Sequence, residues 1–326
     1  LRGVVDADRS QKGRYILTGS SSPELLKEAS DSLAGRVGIL EIGTFKRNEL
    51  QKRPLPLMYN IFKRELSLSK DKSFLKELKN TNDDIILDFL KGGYPEPRLE
   101  NDIAFHRRWM ENYYQTYINR DVKKLFPKLD SIKYRRFIDI LASLSGTIIN
   151  KASVGRSIDT SEVTVRDYLE IAHSTFIWRL IPSYDKSKSK SIVKMPKGIF
   201  RDSGLAHYLL SIESREQLLK NPVVGSSFES YVIEELIKGI QSLNIGRFDY
   251  YYYRTRNGLE VDLILEGSFG TLPVEIKLGV STTLKQLTSL QKFIKDNDLE
   301  YGIVINNSNE VKMLSQNIIQ IPAMLI

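Results

Sequence analysis

Asp262 is followed, after twelve intervening residues, by Glu275-Ile276-Lys277. In an extended chain alternate side chains share a face, so Glu275 and Lys277 point the same way, and Glu260 and Asp262 share a face of the strand before them. If the two faces meet across a hairpin, two carboxylates and an ammonium converge at one spot. Hard oxygen ligands of this kind suit Mg²⁺ or Mn²⁺, and a lysine beside them can hold or polarise an attacking water or stabilise charge on a phosphate. Glu229, one turn into the preceding helix, adds a third carboxylate. Asp262, Glu275 and Lys277 are therefore the candidate catalytic residues, and Glu229, Asp262 and Glu275 the candidate metal ligands. The same charges also make ordinary ion pairs along a strand edge. Acid oxygens converging near Lys277 on a metal mark the first reading, and a salt bridge from Lys277 to those acids in a closed hairpin marks the second.

The elements that must position these groups are legible around them. Helical spacing covers 227–242, and apolar strands are predicted over 248–254, 259–265, 272–278 and 301–306, with a helix over 284–295 before the last. Asn257-Gly258 between two apolar runs is a strong hairpin signal. Upstream, 70–117 is helical apart from a turn at 92–97, and Phe137, Ile138, Leu141 and Leu144 recur at helical spacing within 134–144. Short helices are predicted over 151–158 and 161–171, and β-like segments over 176–184 and 192–200 flank the Lys/Ser-rich run 185–191. Three helices with a tight turn before the last, then two strands around a loop, predict a winged helix-turn-helix. Lys186, Lys188, Lys190 and Lys194, with Lys197 beside the loop and Arg156 and Arg166 on the helices, are candidate nucleic-acid contacts. Lysines interleaved with serines suit phosphates and give affinity without base readout. A solvated loop, or a winged helix used for protein contacts, would carry the same residues.

The N-terminal stretch reads as half of an α/β unit. Residues 14–18 form an apolar run that stops at a polar turn, Ser22-Pro23-Glu24 has the cap, first-turn proline and acid of a helix start, and 37–42 is a second buried strand. Composition bounds the rest. The 326 residues carry 48 Lys and Arg against 40 Asp and Glu, a formal charge of +8, which at roughly 100–200 residues per domain means two or three domains. The excess is concentrated: 98–201 holds 20 basic and 11 acidic residues, whereas 221–326 holds 9 and 12. A boundary near Asn221-Pro222 fits that change. There is no cysteine, which removes thiolate chemistry and Cys-ligated metal, and the three histidines are scattered. The tyrosines at 250–253, and Trp109 with Tyr113, Tyr114 and Tyr117, have core-like spacings. No apolar stretch reaches the ~18 residues of a membrane helix, and no leader opens the chain, so a cytoplasmic protein without membrane contact is expected. The chain begins with Leu1, and a missing N-terminal portion is a further expectation.

Two resemblances build on these residues. Over about 224–306, the order of elements and the Asp262 with Glu275-Ile-Lys277 pattern resemble the PD-(D/E)xK (restriction-endonuclease-like) superfamily. This implies that Asp262 and Glu275 bind metal, that Lys277 assists the hydrolytic water and that Glu229 is the first-helix acid. Gln286 or Gln291 would fall where many members carry a glutamine, although neither has the tyrosine four residues on, and Val261 stands where a leading proline is common. The chain as a whole resembles a bacterial and archaeal family of AAA-type P-loop ATPases that end in a winged helix and a PD-(D/E)xK-like module. The motifs are Arg14-Tyr-Ile-Leu-Thr-Gly-Ser-Ser-Ser22, Ser32-Leu-Ala-Gly-Arg36, Phe89-Leu-Lys-Gly-Gly-Tyr-Pro-Glu96, Tyr117-Ile-Asn-Arg-Asp121, Ser143-Leu-Ser-Gly146 and Lys197-Gly-Ile-Phe-Arg-Asp-Ser-Gly-Leu205.

That resemblance implies a polar sensor at Thr18 or Ser20 and an arginine, Arg36, acting on the γ-phosphate, also in a neighbouring subunit of a homo-oligomer. The chain holds no GxxxxGK[ST] loop and no strand ending in paired acids, so ATP belongs to the intact protein alone. The expected fold is multi-domain α/β and α+β. Residues 1–66 form part of a P-loop ATPase core, 67–120 a helical lid or linker, 121–220 the winged helix and 221–326 the PD-(D/E)xK-like α/β domain. The expected function is that of a fragment of an ATP-binding protein acting on DNA, with metal-dependent phosphodiester hydrolysis at its C-terminal domain. The alternative is a non-catalytic DNA- or protein-binding regulator in which that domain is a scaffold.

Overall fold

The computed structural model describes residues 2–8, 11–19, 36, 38, 40–63, 85–100, 102–185 and 195–326. The first element, α1 (Arg2–Ala7), is followed by an extended stretch in which Tyr15, Ile16 and Leu17 are exposed. Leu40 and Ile42 are 90% and 92% exposed. The buried strands expected at 14–18 and 37–42 are therefore not formed among the described residues. An apolar run becomes a strand only by pairing its backbone, and no described strand pairs with either. The helix expected from Ser22, and Ser20 itself, lie outside the described residues. The chain then forms α2 (Arg47–Leu50) and a 3₁₀ turn, Leu57–Lys63, that buries Met58, Tyr59, Ile61 and Phe62, and α3 (Ile85–Lys91) follows. Gly92 takes a φ of +68°, and a Cβ there would meet Asp202 Oδ1 at 2.2 Å. Gly93 N–H donates to the other Asp202 oxygen at 2.8 Å, so the turn is held against the residue that also caps a later helix.

A helical unit comes next: α4 (Pro95–Leu99), α5 (Ile103–Thr116), a π-helical stretch Tyr117–Val122, α6 (Ser131–Leu144), β1 (Thr147–Ile148), α7 (Lys151–Ser157), α8 (Glu162–Ser174), β2 (Trp178–Ile181) and β3 (Lys197–Phe200). The helix starts follow the sequence, since Asp102, Asp130, Asn150 and Ser161 each accept a first-turn backbone amide. Asp159, at φ +52°, turns the chain between α7 and α8. β3 lies between β1 and β2, antiparallel to both. Tyr134, Phe137, Leu141, Val165 and Trp178 pack together beneath them.

The C-terminal part contains α9 (Ser203–Leu209), α10 (Arg215–Lys220), α11 (Val224–Gln241), β4 (Asp249–Arg254), β5 (Glu260–Gly267), β6 (Gly270–Lys277), α12 (Thr288–Asp296), β7 (Gly302–Asn306), β8 (Lys312–Ser315) and β9 (Ile318–Pro322). Six strands make one mixed sheet in the order β4-β5-β6-β7-β9-β8, with β6, β7 and β9 parallel and the remaining pairs antiparallel. Gly258 supplies the positive φ, +84°, that the Asn-Gly hairpin turn requires. Side chains alternate between two cores. Leu263, Leu265, Leu272 and Val274 face α11 together with Met58, Tyr59 and Phe89. Val261, Ile264 and Val304 face Leu290, Phe293 and Ile294 of α12. α11 is apolar on nearly every side because it is sandwiched between the sheet and the segments before it. β8 and β9 were not expected from the sequence. The helical unit is tied to the sheet edge by Tyr184 N–H to Tyr252 O at 2.7 Å and Tyr252 N–H to Pro182 O at 3.0 Å. No helix among the described residues is long and apolar enough to cross a membrane.

Candidate functional site

The β5–β6 ladder runs from Gly267 opposite Gly270 to Leu263 opposite Val274, and Asp262 and Glu275 stand just past that end. There the Ile276 amide donates to Asp262 Oδ2 at 2.8 Å, so a side chain takes the place of a ladder acceptor and Asp262 is drawn across to β6. Lys277, two residues beyond Glu275 on the same face, donates to Glu275 Oε1 at 2.6 Å and lies 3.8 Å from Asp262 Oδ2. Glu229 projects from the first turns of α11 into the same cluster, where its carboxyl feels the charge of Asp262. The four residues singled out on spacing alone are thus brought together by α11, β5 and β6.

A fifth residue completes the cluster, and it comes from outside the sheet. Lys197, at the start of β3, is 1% exposed. Its ammonium donates to Glu229 and lies 3.4 Å from Glu260 Oε1, and Arg254 pairs with the other Glu260 oxygen at 3.2 Å. Its place beside the Lys/Ser loop makes Lys197 a candidate nucleic-acid contact by sequence. That is corrected: β3 is buried along its whole length, and a lysine at such a position must find carboxylates.

The electrostatics follow from crowding. Burial, and next the charge of Asp262, pushes the carboxyls of Glu229 and Glu275 up to about 8. Burial works to lower the Lys197 ammonium, and Glu229, Asp262 and Glu260 more than reverse it, so its pKa is raised. Lys277 is raised in the same way by Asp262 and Glu275 against a burial penalty. Glu275 Oε2 is buried without a hydrogen-bond partner. The donors are hard oxygens of the type Mg²⁺ and Mn²⁺ prefer. Their placement fits a metal less well, because Glu229 and Glu275 are each already engaged by a lysine ammonium. Among the described residues no group of three or more His, Asp or Glu is placed to hold a metal ion.

The other expected residues disperse. Arg156 and Arg166 are exposed on α7 and α8, and Arg166 pairs with its neighbour Asp167 at 3.4 Å. Lys186, Lys188, Lys190 and Lys194 lie outside the described residues, as does Ser20. Thr18 is exposed, and Arg36 makes a two-pronged pair with Asp6 of α1 at 2.7 and 3.0 Å. Gln286 caps the turn before α12 by accepting from Thr283 N–H at 2.8 Å. The tyrosine-rich strand packs: Tyr252 is fully buried, and Tyr253 sits edge-on to Phe293. Each histidine nitrogen that is bonded meets a backbone carbonyl or, for His207, also Ser227.

A second buried ion pair joins the same elements. Arg179 on β2 makes a two-pronged pair with Glu234 on α11, and also donates to Tyr250 Oη at 3.1 Å and Glu41 Oε1 at 3.2 Å. Glu41 also accepts from Arg201. Nothing in the local sequence pattern around Arg179 signals this contact.

Comparison with known proteins finds two domain models that each match part of the chain. Residues 82–216 match a domain of unknown function (DUF8612), and residues 224–326 match another (DUF4143). The interval between the two matches contains Asn221-Pro222. At the level of whole chains, uncharacterized proteins of Mycobacterium bovis and Mycobacterium tuberculosis are each 26% identical over 323 residues. The alignment covers 99% of this chain and 65% of each relative, so the chain spans about two thirds of their length. No solved structure matches the chain.

Proposed function

We propose that the chain is part of an AAA-type ATP-binding protein and serves as a nucleic-acid-binding regulator, its six-stranded unit keeping PD-(D/E)xK organisation as an ion-paired scaffold. The observation that carries this reading is the double lysine pairing, with Lys277 on Glu275 and Lys197 on Glu229. The order helix, three antiparallel strands, helix, parallel strand in α11-β4-β5-β6-α12-β7 supports the superfamily assignment, with acids on α11, β5 and β6. The order α6-β1-α7-α8-β2-β3 supports a winged helix. On α8 the exposed face carries Glu162, Asp167 and Glu170 against Arg166. That face repels phosphates, so nucleic acid is held by backbone contacts from Lys186, Lys188, Lys190, Lys194 and Arg156 rather than read by α8. ATP binding and any homo-oligomer belong to the intact protein.

A second reading, metal-dependent phosphodiester hydrolysis, is favoured by the convergence of Glu229, Asp262, Glu275 and Lys277. In it the three carboxylates hold Mg²⁺ or Mn²⁺, which supplies charge stabilisation at the phosphate, and Lys277 holds the water. One set of assays separates the two. The scaffold reading expects linear, branched and single-stranded DNA to stay intact in Mg²⁺ and in Mn²⁺. It also expects duplex affinity to fall steeply with salt, with the log–log slope shrinking by up to ~0.9 for each of Lys186, Lys188 and Lys190 changed to alanine. Cleavage that Lys277→Ala abolishes overturns it in favour of hydrolysis, and an unchanged slope removes the nucleic-acid role.

A further inference from the structure

We propose that Lys197 is an internal counter-ion that engages Glu229 and thereby closes a latent divalent-cation site to which Glu229, Asp262 and Glu275 would contribute. The inference rests on the PD-(D/E)xK organisation proposed above and is independent of whether the site cleaves anything.

Three observations carry it. First, Lys197 does not belong to the fold that makes the cluster. It stands on β3 of the small sheet, yet its ammonium bonds to Glu229 of α11, approaches Glu260 of β5, and acts on the charges of Asp262 and Glu275. Second, Glu275 Oε2 is buried with no hydrogen-bond partner while its sister oxygen takes Lys277. A buried carboxyl oxygen without a partner is costly, and a cation ligated by several oxygens at once would engage it where an ammonium bonded to Glu229 does not. Third, the path by which Lys197 arrives is a docking contact. Two residues before it, the Met195 carbonyl accepts from the Tyr252 hydroxyl, and the Lys197 ammonium lies 6.0 Å from the centroid of the Tyr252 ring.

An ammonium brings one charge and three donors, whereas Mg²⁺ or Mn²⁺ brings two charges and gathers about six oxygens. The two cannot share the centre of one carboxylate cluster. A displacement of β3 away from α11 would withdraw Lys197 and leave the acids with Lys277 alone. The helical unit is in this sense a built-in occupant of the site.

The test uses the full chain and Mn²⁺ alone. Lys197→Met keeps an apolar stem on Tyr252 and removes the charge. In calorimetric titration, this variant, shown folded by circular dichroism, is expected to bind one Mn²⁺ at least ~10-fold more tightly than the parent chain. Adding Glu229→Gln to it is expected to abolish the gain. Equal Mn²⁺ affinity in the folded variant and the parent overturns the proposal. A second measurement needs no variant: amine labelling of the parent chain, read by mass spectrometry, is expected to leave Lys197 protected while the exposed Lys220 and Lys292 react. Labelling of Lys197 at their rate also overturns it. Tight Mn²⁺ binding by Lys197→Met with no cleavage of DNA upholds the lock and rejects hydrolysis, so the two failures are told apart.

Discussion

Arg179→Met probes whether the helical unit and the sheet are docked as one body. Arg179 and Glu234 have side chains only 3% and 5% exposed, and they form a two-pronged pair. Glu41 keeps Arg201 when Arg179 is lost, so the substitution leaves Glu234 as the one carboxylate stripped of its partner. Leaving one member of a desolvated ion pair uncompensated costs about 3–5 kcal/mol. Replacing both by apolar groups of similar size removes that penalty, so Arg179→Met/Glu234→Leu should recover most of the loss, and the double-mutant cycle should return a coupling of ~2 kcal/mol or more. Urea unfolding followed by tryptophan fluorescence is a direct assay, because Trp178, fully buried, lies next to Arg179 on β2. The m-value serves as the check that the same surface unfolds in each variant. A loss below ~1 kcal/mol in Arg179→Met, or a double variant no more stable than the single one, would refute the reasoning, since a pair standing in water is worth little.

Two further perturbations test other parts of the fold. His207 is buried, with Nδ1 at 3.0 Å from Leu90 O and Nε2 at 2.9 Å from Ser227 Oγ, and burial lowers its pKa to about 4. The unfolded chain takes up the proton near the ordinary value of about 6.5 and the folded one only near 4, so the contribution is complete at pH 7 and is lost as pH falls through that window. The loss is about 3 kcal/mol, and His207→Gln should flatten this part of the stability profile in urea titrations at pH 7, 5.5 and 4. At Gly198 a Cβ would lie 2.1 Å from Trp178 Cζ2. Gly198→Ala should cost ~1–3 kcal/mol by overpacking and shift the Trp178 emission, and a variant as stable as the parent would show that β3 is not pressed against that ring.

How much of this was legible depended on the range over which each cause acts. Asn257-Gly258, the period-two strands around it and the Asp262, Glu275, Lys277 spacing are local, and the hairpin, the sheet and the convergence of those side chains follow from them. Helix starts at Asn150 and Ser161 are local too, whereas the helix expected over 134–144 begins earlier, at Ser131 behind its Asp130 cap. The apolar runs at 14–18 and 37–42 look like strands by the same local rule, but a strand is made by its neighbour, and no pattern within five or six residues reports whether one exists. The apolar run Ile318-Ile319-Gln320-Ile321 carries a local strand signal as well, and it forms β9.

The missed charges had a signal of a different kind. Lys197 opens the run Lys197-Gly-Ile-Phe200, and Glu234-Glu235 interrupts an otherwise apolar helix, so in each place a charge sits where the surrounding residues demand burial. Such a charge must be paired, although its partner, 32 residues away for Lys197 and Glu229 and 55 for Arg179 and Glu234, cannot be named from the sequence alone. The structure resolves both in one way: β2 and β3 each send one cation to α11, Arg179 to Glu234 and Lys197 to Glu229. Lys46 and Lys238 take Glu235 from the other side. The acids of α11 therefore bind the helix to its surroundings and supply the cluster at the same time. Since Glu229 takes part in both, and Lys197 also lies 3.4 Å from Glu260, docking of the small sheet and the charge state of the Asp262–Glu275 cluster are coupled.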